Sequence, residues 1–205
     1  MAWTRRTALA LGGAYVLAAG AAEAAAVNGK PAPGFAALDS KGETRSLAEF
    51  AGKTVVLEWS NHDCPYVKKH YGAGAMQALQ KEAAAEGVVW LTVISSAPGQ
   101  QGNVNGAAAD QLSASRGAAP TAVLLDPSGE LGRLYGAKTT PHMYVVNPAG
   151  ELVFQGGIDD KPTANPADLK TARNHVRAAL ADLRAGRPVA VASATPYGCS
   201  VKYAS

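Results

Sequence analysis

The sequence predicts an α/β protein with a mixed central β-sheet and helices on both faces. Two observations carry that reading. The runs "TVVLEW" (54–59), "VVWLTVIS" (88–95) and "TAVLLD" (121–126) are apolar and β-branched without polar alternation, as strands buried on both faces are. Helical stretches lie between them, and such crossovers join parallel strands. Further on, "HMYVVN" (142–147) and "ELVFQG" (151–156) are separated only by "PAG", a spacing that makes a hairpin and adds antiparallel strands.

The first residues, "MAWTRRTALALGGAYVLAAGAAEAAA", hold two arginines, an apolar run from Ala8 to about Ala22, and an A-x-A site at Ala22-Glu23-Ala24. This is the pattern of a signal peptide over 1–24, with the mature chain exported to a periplasmic or other extracytoplasmic space and no stable membrane insertion after cleavage. The alternative is an uncleaved anchor, because the run approaches the shortest membrane spans. "TRRTAL" also resembles a twin-arginine signal, with Ala8 where that signal usually has Phe. Residues 25–186 read as one domain and 187–205 as a tail carrying Cys199.

Within the domain, residues 26–53 read as an extended lead-in punctuated by Pro and Gly, ending in a short helical turn, "SLAEF", capped by Ser46. Pro65 opens a short helix that runs to about Tyr71. Gly72 and Gly74 break it, since each costs about 1 kcal/mol against Ala inside a helix. "AMQALQKEAAAEG" resumes the helix up to Gly87, and "AAADQLSASRG" (107–117) and "SGELGRLYG" (128–136) are shorter helices. The last helix is expected over 166–184. Leu169, Ala172, Val176, Leu180 and Leu183 form one stripe, Asn165 stands at the cap, Pro166 at the first position, and Gly186 with Pro188 at the end.

The net charge is only +3, and no basic run is interleaved with aromatics, which argues against a nucleic-acid partner. Removing residues 1–24 takes away Arg5, Arg6 and Glu23 and lowers the charge by one unit. "GELGRLYG" lacks the spacing and the G-K-[ST] ending of a phosphate loop. The two cysteines, Cys64 and Cys199, are far apart in the chain and form no C-x-x-C motif; their spacing leaves open whether they meet.

Cys64 follows a buried strand and precedes Pro65, a residue favoured at the first helical position. Free N–H groups and the positive end of the helix dipole therefore favour its thiolate, which is the nucleophile. Lys68 and His62 add to this and Asp63 opposes it, and a net lowering of the thiol pKa is expected. The other reading is an inert, buried cysteine.

"NHDCPYVKKH" resembles the cysteine loop of peroxiredoxin-like (redoxin, AhpC/TSA-type) proteins of the thioredoxin superfamily, which usually read C-N-H-C-P-Y-V-K. "PAPGFAALDSKGETRSLAEFAGKTVVLEW" is similar to the opening of that domain, "TTPHMYVVNPAGELVFQGGIDD" to its cis-proline segment, and "PYGCSVKY" to its C-terminal G-C-S-I-K-W. The resemblance covers about 27–205 and implies a thioredoxin-like fold. It places Cys64 at the peroxidatic position, Pro141 at the cis-proline facing the reactive sulfur, and Cys199 at the C-terminal cysteine. The chain departs from the pattern in two ways. Ser60 and Asn61 stand where the loop's first cysteine would be and Asp63 is inserted, so a local dithiol is excluded. Leu57 and Asn61 stand where peroxiredoxins carry Pro and Thr, groups that help position a peroxide.

These observations lead to an exported thiol redox protein, a thiol–disulfide oxidoreductase or weak peroxidase, in which Cys64 attacks and Cys199 resolves. Its partners would be a protein thiol or disulfide, or a small peroxide, and it would need no metal or organic cofactor. A different class also fits: a thioredoxin-fold binding module with a permanent Cys64–Cys199 bridge. A Cys64–His142 pair would resemble copper-handling members of the superfamily, but those use two cysteines in one loop. His62 and His70 are expected to be solvated, His175 to lie on the polar face of the last helix, and Asp159-Asp160 to form a turn.

Overall fold

The structure is a computed structural model that describes residues 26–204; the expectations for residues 1–24 lie outside the described residues. The three predicted buried strands are β-strands. In chain order the sheet elements are β1 (Ala36–Asp39), β2 (Thr44–Ser46), β3 (Val55–Trp59), β4 (Val89–Ile94), β5 (Ala122–Leu125), β6 (Thr139–Thr140), β7 (His142–Val146), β8 (Leu152–Gly156) and β9 (Cys199–Ser200). The helices are α1 (Pro65–Gly72), α2 (Ala75–Ala85), α3 (Gly106–Ser115), α4 (Glu130–Tyr135) and α5 (His175–Arg184).

Among the described residues seven strands form one sheet in the order β2-β1-β5-β4-β3-β7-β8. β3 pairs in parallel with β4 and β4 with β5, while β3–β7 and β7–β8 are antiparallel. The strands β3 and β7 are buried along their whole length. Alternate residues supply two cores, which explains their unbroken apolar character. Val56, Trp90, Met143, Val145 and Phe154 face α1, α2 and α5. Val55, Leu57, Trp59, Tyr144 and Val146 face Leu131 and Tyr135 of α4 and Phe50.

Two expectations are corrected. The lead-in is a hairpin: β1 and β2 pair and β1 joins β5 at the sheet edge. Its turn is closed by the Asp39 carboxylate, which accepts from the N–H groups of Lys41 and Glu43 at 2.9 Å each. These strands are short and only Asp39 in them is buried, so no apolar run announces them. The expected helix over 166–184 is broken. Pro166–Lys170 is a 3-10 turn capped by Asn165, and α5 begins at His175 with Asn174 as its cap, accepting from Arg177 N at 2.8 Å. Between them the backbone bonds elsewhere: Arg173 N donates to Asp160 Oδ1 and His175 N to Ile158 O, both at 2.9 Å. That tertiary pairing outbids the helical pattern, and Leu169 and Ala172 leave the stripe that Val176 and Leu180 keep.

The tail is docked. Gln155 N donates to Ala192 O and Ala194 N to Gln155 O, which lays residues 192–194 along β8. The chain then crosses to β6, where β9 forms a two-stranded antiparallel ladder with Thr139 and Thr140.

Candidate active site

The β3 strand ends at Trp59, and the loop 60–64 delivers Cys64 to the N-cap of α1 with Pro65 in the first turn. Asn61 braces this loop. Its Oδ1 accepts from Asp63 N at 2.9 Å, its Nδ2 donates to Gln101 O at 3.1 Å, and its carbonyl accepts from Cys64 N at 3.0 Å. The Cys64 thiol donates to Thr140 O at 3.0 Å, and the Thr140–Pro141 peptide is cis. The expected meeting of Cys64 with the cis-proline turn is therefore present.

Cys199 reaches the same point from the other side. It sits opposite Thr140 in the β6–β9 register and packs against the core that contains Cys64. Both sulfurs are free thiols, and Cys199 lies near enough to bias the ionisation of Cys64. Gly198 allows this approach. Its φ is +134°, and a Cβ there would stand 2.0 Å from Thr140 O, so only glycine lets the two backbones close up.

The two thiols are unequal. Burial opposes ionisation of Cys64, yet the Cys199 side chain, the Thr140 side chain (not its carbonyl, which accepts from the thiol) and the N–H groups of Val67 and Cys199 outweigh it and hold the Cys64 pKa below the ordinary value. The Val67 N–H is one of the free donors of the helix start. Lys68 and His62 do not join them: Lys68 Nζ and His62 Nε2 each lie 3.4 Å from the Asp63 carboxylate. Cys199 is driven the other way. Burial and its bond to Cys64 push it up to about 11. The arrangement favours ionisation of Cys64 before Cys199.

Cys64 is fully buried, at 0% exposure, as the inert reading anticipated. The tail covers it, with Tyr197 and Cys199 packed on the cluster and the Tyr197 ring centroid 5.8 Å from that of Tyr66. Beneath the loop, two polar clusters escaped sequence reasoning. Glu58 of β3 is buried on the Cys64 face and accepts from Tyr71 Oη (3.0 Å), Trp90 Nε1 (2.9 Å), Gln80 Nε2 (3.3 Å) and Thr92 Oγ1 (3.3 Å). Burial raises its pKa despite these donors. A glutamate inside "TVVLEW" was the sequence's one mark of it. The second cluster overturns two expectations. His70 is not solvated but buried, at 1% exposure, and Asp159 is not merely a turn residue but a buried carboxylate 3.4 Å from Lys69 Nζ and hydrogen-bonded by Tyr197 Oη.

The remaining histidines are placed as follows. His142 Nδ1 accepts from Lys138 N and contacts Tyr144 Oη, both at 3.2 Å, on the sheet face opposite Cys64, so no Cys64–His142 pair forms. Burial lowers its pKa to about 4. His175 is the first residue of α5, with its ring 6.2 Å from Phe154 rather than on a polar face. Among the described residues no group of three or more His, Cys, Asp or Glu side chains converges as metal ligands do.

The AhpC/TSA family model matches residues 28–155, well over half the chain. The chain belongs to the AhpC/TSA family. No curated protein matches it. Among solved structures, a conserved uncharacterised protein from Geobacillus kaustophilus is 25% identical with a TM-score of 0.73, covering 87% of this chain and 93% of its own. A protein from Chlorobium tepidum assigned as a thiol:disulfide interchange protein DsbE is 23% identical, with a TM-score of 0.52 over 64% of this chain and 85% of that one. One from Neisseria meningitidis assigned as a thioredoxin is 21% identical, with a TM-score of 0.50 over 62% and 78%. The last two share the fold, and this AhpC/TSA member has the thioredoxin-like architecture its sequence implied.

Proposed function

We propose that this AhpC/TSA protein is an exported thiol–disulfide oxidoreductase with Cys64 as nucleophile, Cys199 as resolving cysteine and Pro141 as the turn that aligns the Thr140 carbonyl. The observation that carries the reading is a pair of free thiols brought together at Thr140, with Cys64 at a helix start and bonded to the Thr140 carbonyl and Cys199 opposite Thr140 in the β6–β9 ladder; their opposite pKa directions agree with it. The Cys64 thiolate attacks a disulfide, forms a mixed disulfide and expels one thiolate. Cys199 then loses its proton and attacks Cys64 Sγ, which releases the second thiolate and leaves a Cys64–Cys199 disulfide. Burial keeps the Cys199 pKa raised throughout, but once Cys64 is oxidised its own share of that rise is gone, which eases the second step. An external dithiol must return the pair to the reduced state.

A peroxide is the less favoured oxidant. The Asn61 amide is already committed to Asp63 N and Gln101 O, and Leu57 offers no polar group. With a peroxide, Cys64 would become a sulfenic acid, and Cys199 would condense with it and release water.

The test is thiol mapping of the purified mature protein by mass spectrometry after treatment with stoichiometric glutathione disulfide or hydrogen peroxide. The expected product is a Cys64–Cys199 disulfide, formed faster with the disulfide; Cys199→Ser traps a mixed disulfide on Cys64. Undiminished reactivity in Cys64→Ser would remove the enzyme reading, and a bridge that resists a dithiol reductant would favour the binding module. Export is tested separately by N-terminal sequencing from the native host: a mature start near Ala25 is expected, and a cytoplasmic chain retaining Met1 contradicts it.

A further inference from the structure

Asp159 lies in the segment after β8, is almost wholly buried and joins three parts of the chain. From α1, Lys69 Nζ approaches its Oδ2 at 3.4 Å and donates to Lys161 O at 2.9 Å. From its own turn, Lys161 N donates to Oδ1 at 2.9 Å. From the tail, Tyr197 Oη donates to the same Oδ1. Lys69, at 1% exposure, also lies 5.6 Å from the Tyr197 ring centroid, and His70 Nε2 stands 3.7 Å from Oδ2. A buried ammonium and carboxylate are costly unless each is fully partnered, and the Tyr197 hydroxyl completes this set. Helix α1 begins next to Cys64, and Tyr197 precedes Cys199 by two residues. The cluster therefore ties together the two segments that carry the two sulfurs. Against Gly157 the tail is so close that a Cβ would stand 2.9 Å from Thr195 O and 3.1 Å from Tyr197 Cδ1.

We infer that Asp159 and Tyr197 are positioning residues for the resolving step: the Lys69-anchored carboxylate holds the Tyr197 hydroxyl and thereby keeps Cys199 against Cys64. The inference rests on the resolving role proposed for Cys199. Resolution is an intramolecular attack, and its rate depends on how often the attacking sulfur is within reach and in line. The β6–β9 ladder has only two residue pairs. The Tyr197–Asp159 bond fixes the tail immediately before that ladder.

The experiment uses an aromatic disulfide whose thiolate is coloured. Attack by Cys64 releases one equivalent, and attack by Cys199 on the mixed disulfide releases a second, so stopped-flow absorbance separates the steps. Tyr197→Phe keeps the ring contacts with Tyr66 and Lys69 and removes only the hydroxyl. In this variant the first phase is expected to be unchanged or faster, because the cover over Cys64 is looser. The second phase is expected to slow about tenfold, the effect of losing one charge-assisted hydrogen bond. Tyr203→Phe is the control. It removes another tail hydroxyl bond, Tyr203 Oη to Ala137 O at 2.8 Å, beyond Cys199 and outside the cluster. A second phase within twofold of the parent in Tyr197→Phe overturns the inference, as does equal slowing in Tyr203→Phe, which would assign the effect to tail loosening at large. A parent protein that releases one equivalent and never the second overturns the resolving role itself, and the inference with it. Circular dichroism melts of both variants accompany the kinetics; a purely structural role would lower the melting temperature and leave the ratio of the phases unchanged.

Discussion

At Cys64 the thiolate is favoured by donors that include Cys199 itself. Removing that neighbour must show in the titration. Cys199→Ala is expected to raise the Cys64 pKa, read from thiolate absorbance across a pH series, and to leave Cys64 open to oxidation beyond the sulfenic state under excess peroxide, read as sulfinic acid by mass spectrometry. An unchanged titration would mean that the helix N–H groups alone set the acidity. Glu58 behaves differently, because every partner it has is a donor. Glu58→Gln turns one accepting oxygen into a donor facing donors and is expected to cost about 2–3 kcal/mol in chemical denaturation. Cys64 was legible because Cys-Pro after an apolar run is a local pattern. The Asp159 cluster was not, since Lys69, Asp159 and Tyr197 share no local pattern and meet only in three dimensions.

Among the elements, the β6–β9 ladder is the smallest and decides the most. Gly198→Ala places a methyl group where the Thr140 carbonyl stands, at a φ that L residues rarely adopt. The ladder is expected to open, and the variant should keep Cys64 reactivity while losing the Cys64–Cys199 product in thiol mapping. Asn174→Ala removes the cap of α5 and is expected to lower stability by about 1 kcal/mol; no change would mean that the Arg177 N–H finds another acceptor. The sequence expectation had put the helix start at Asn165. Both asparagines are caps, but the apolar spacing of Leu169 and Ala172 concealed the break between them, because the bonds from Arg173 and His175 to the 158–160 segment come from far along the chain.

For the whole molecule, a Cys64–Cys199 bond would close a loop of more than 100 residues. On the chain-entropy account it would stabilise the fold by about 4–5 kcal/mol, checked by denaturant midpoints of the oxidised and reduced forms. Equal midpoints would show that the bond strains the native state by as much as it restricts the unfolded one. Acid acts through two buried histidines; His142, like His70, is lowered by burial to a pKa of about 4 in the fold against an ordinary 6.5. Between those values the unfolded chain binds the proton and the folded chain does not. This contribution is therefore full above about pH 6.5 and is lost as pH falls towards 4, by about 3 kcal/mol. His142→Gln should make that part of the pH profile of stability shallower and leave the share of His70.

The sequence by itself determined the order of the central strands and the helices between them, the helix break at Gly72 and Gly74, and the position of Cys64 at a helix start. These follow from local apolar patterns, caps and glycines. Only the tertiary structure decided that Cys199 lies on Cys64, that the lead-in joins the sheet edge, and that Lys69 and Asp159 are buried together. Those outcomes depend on backbone hydrogen bonds and charge pairing between segments distant in the chain, which carry no local periodicity.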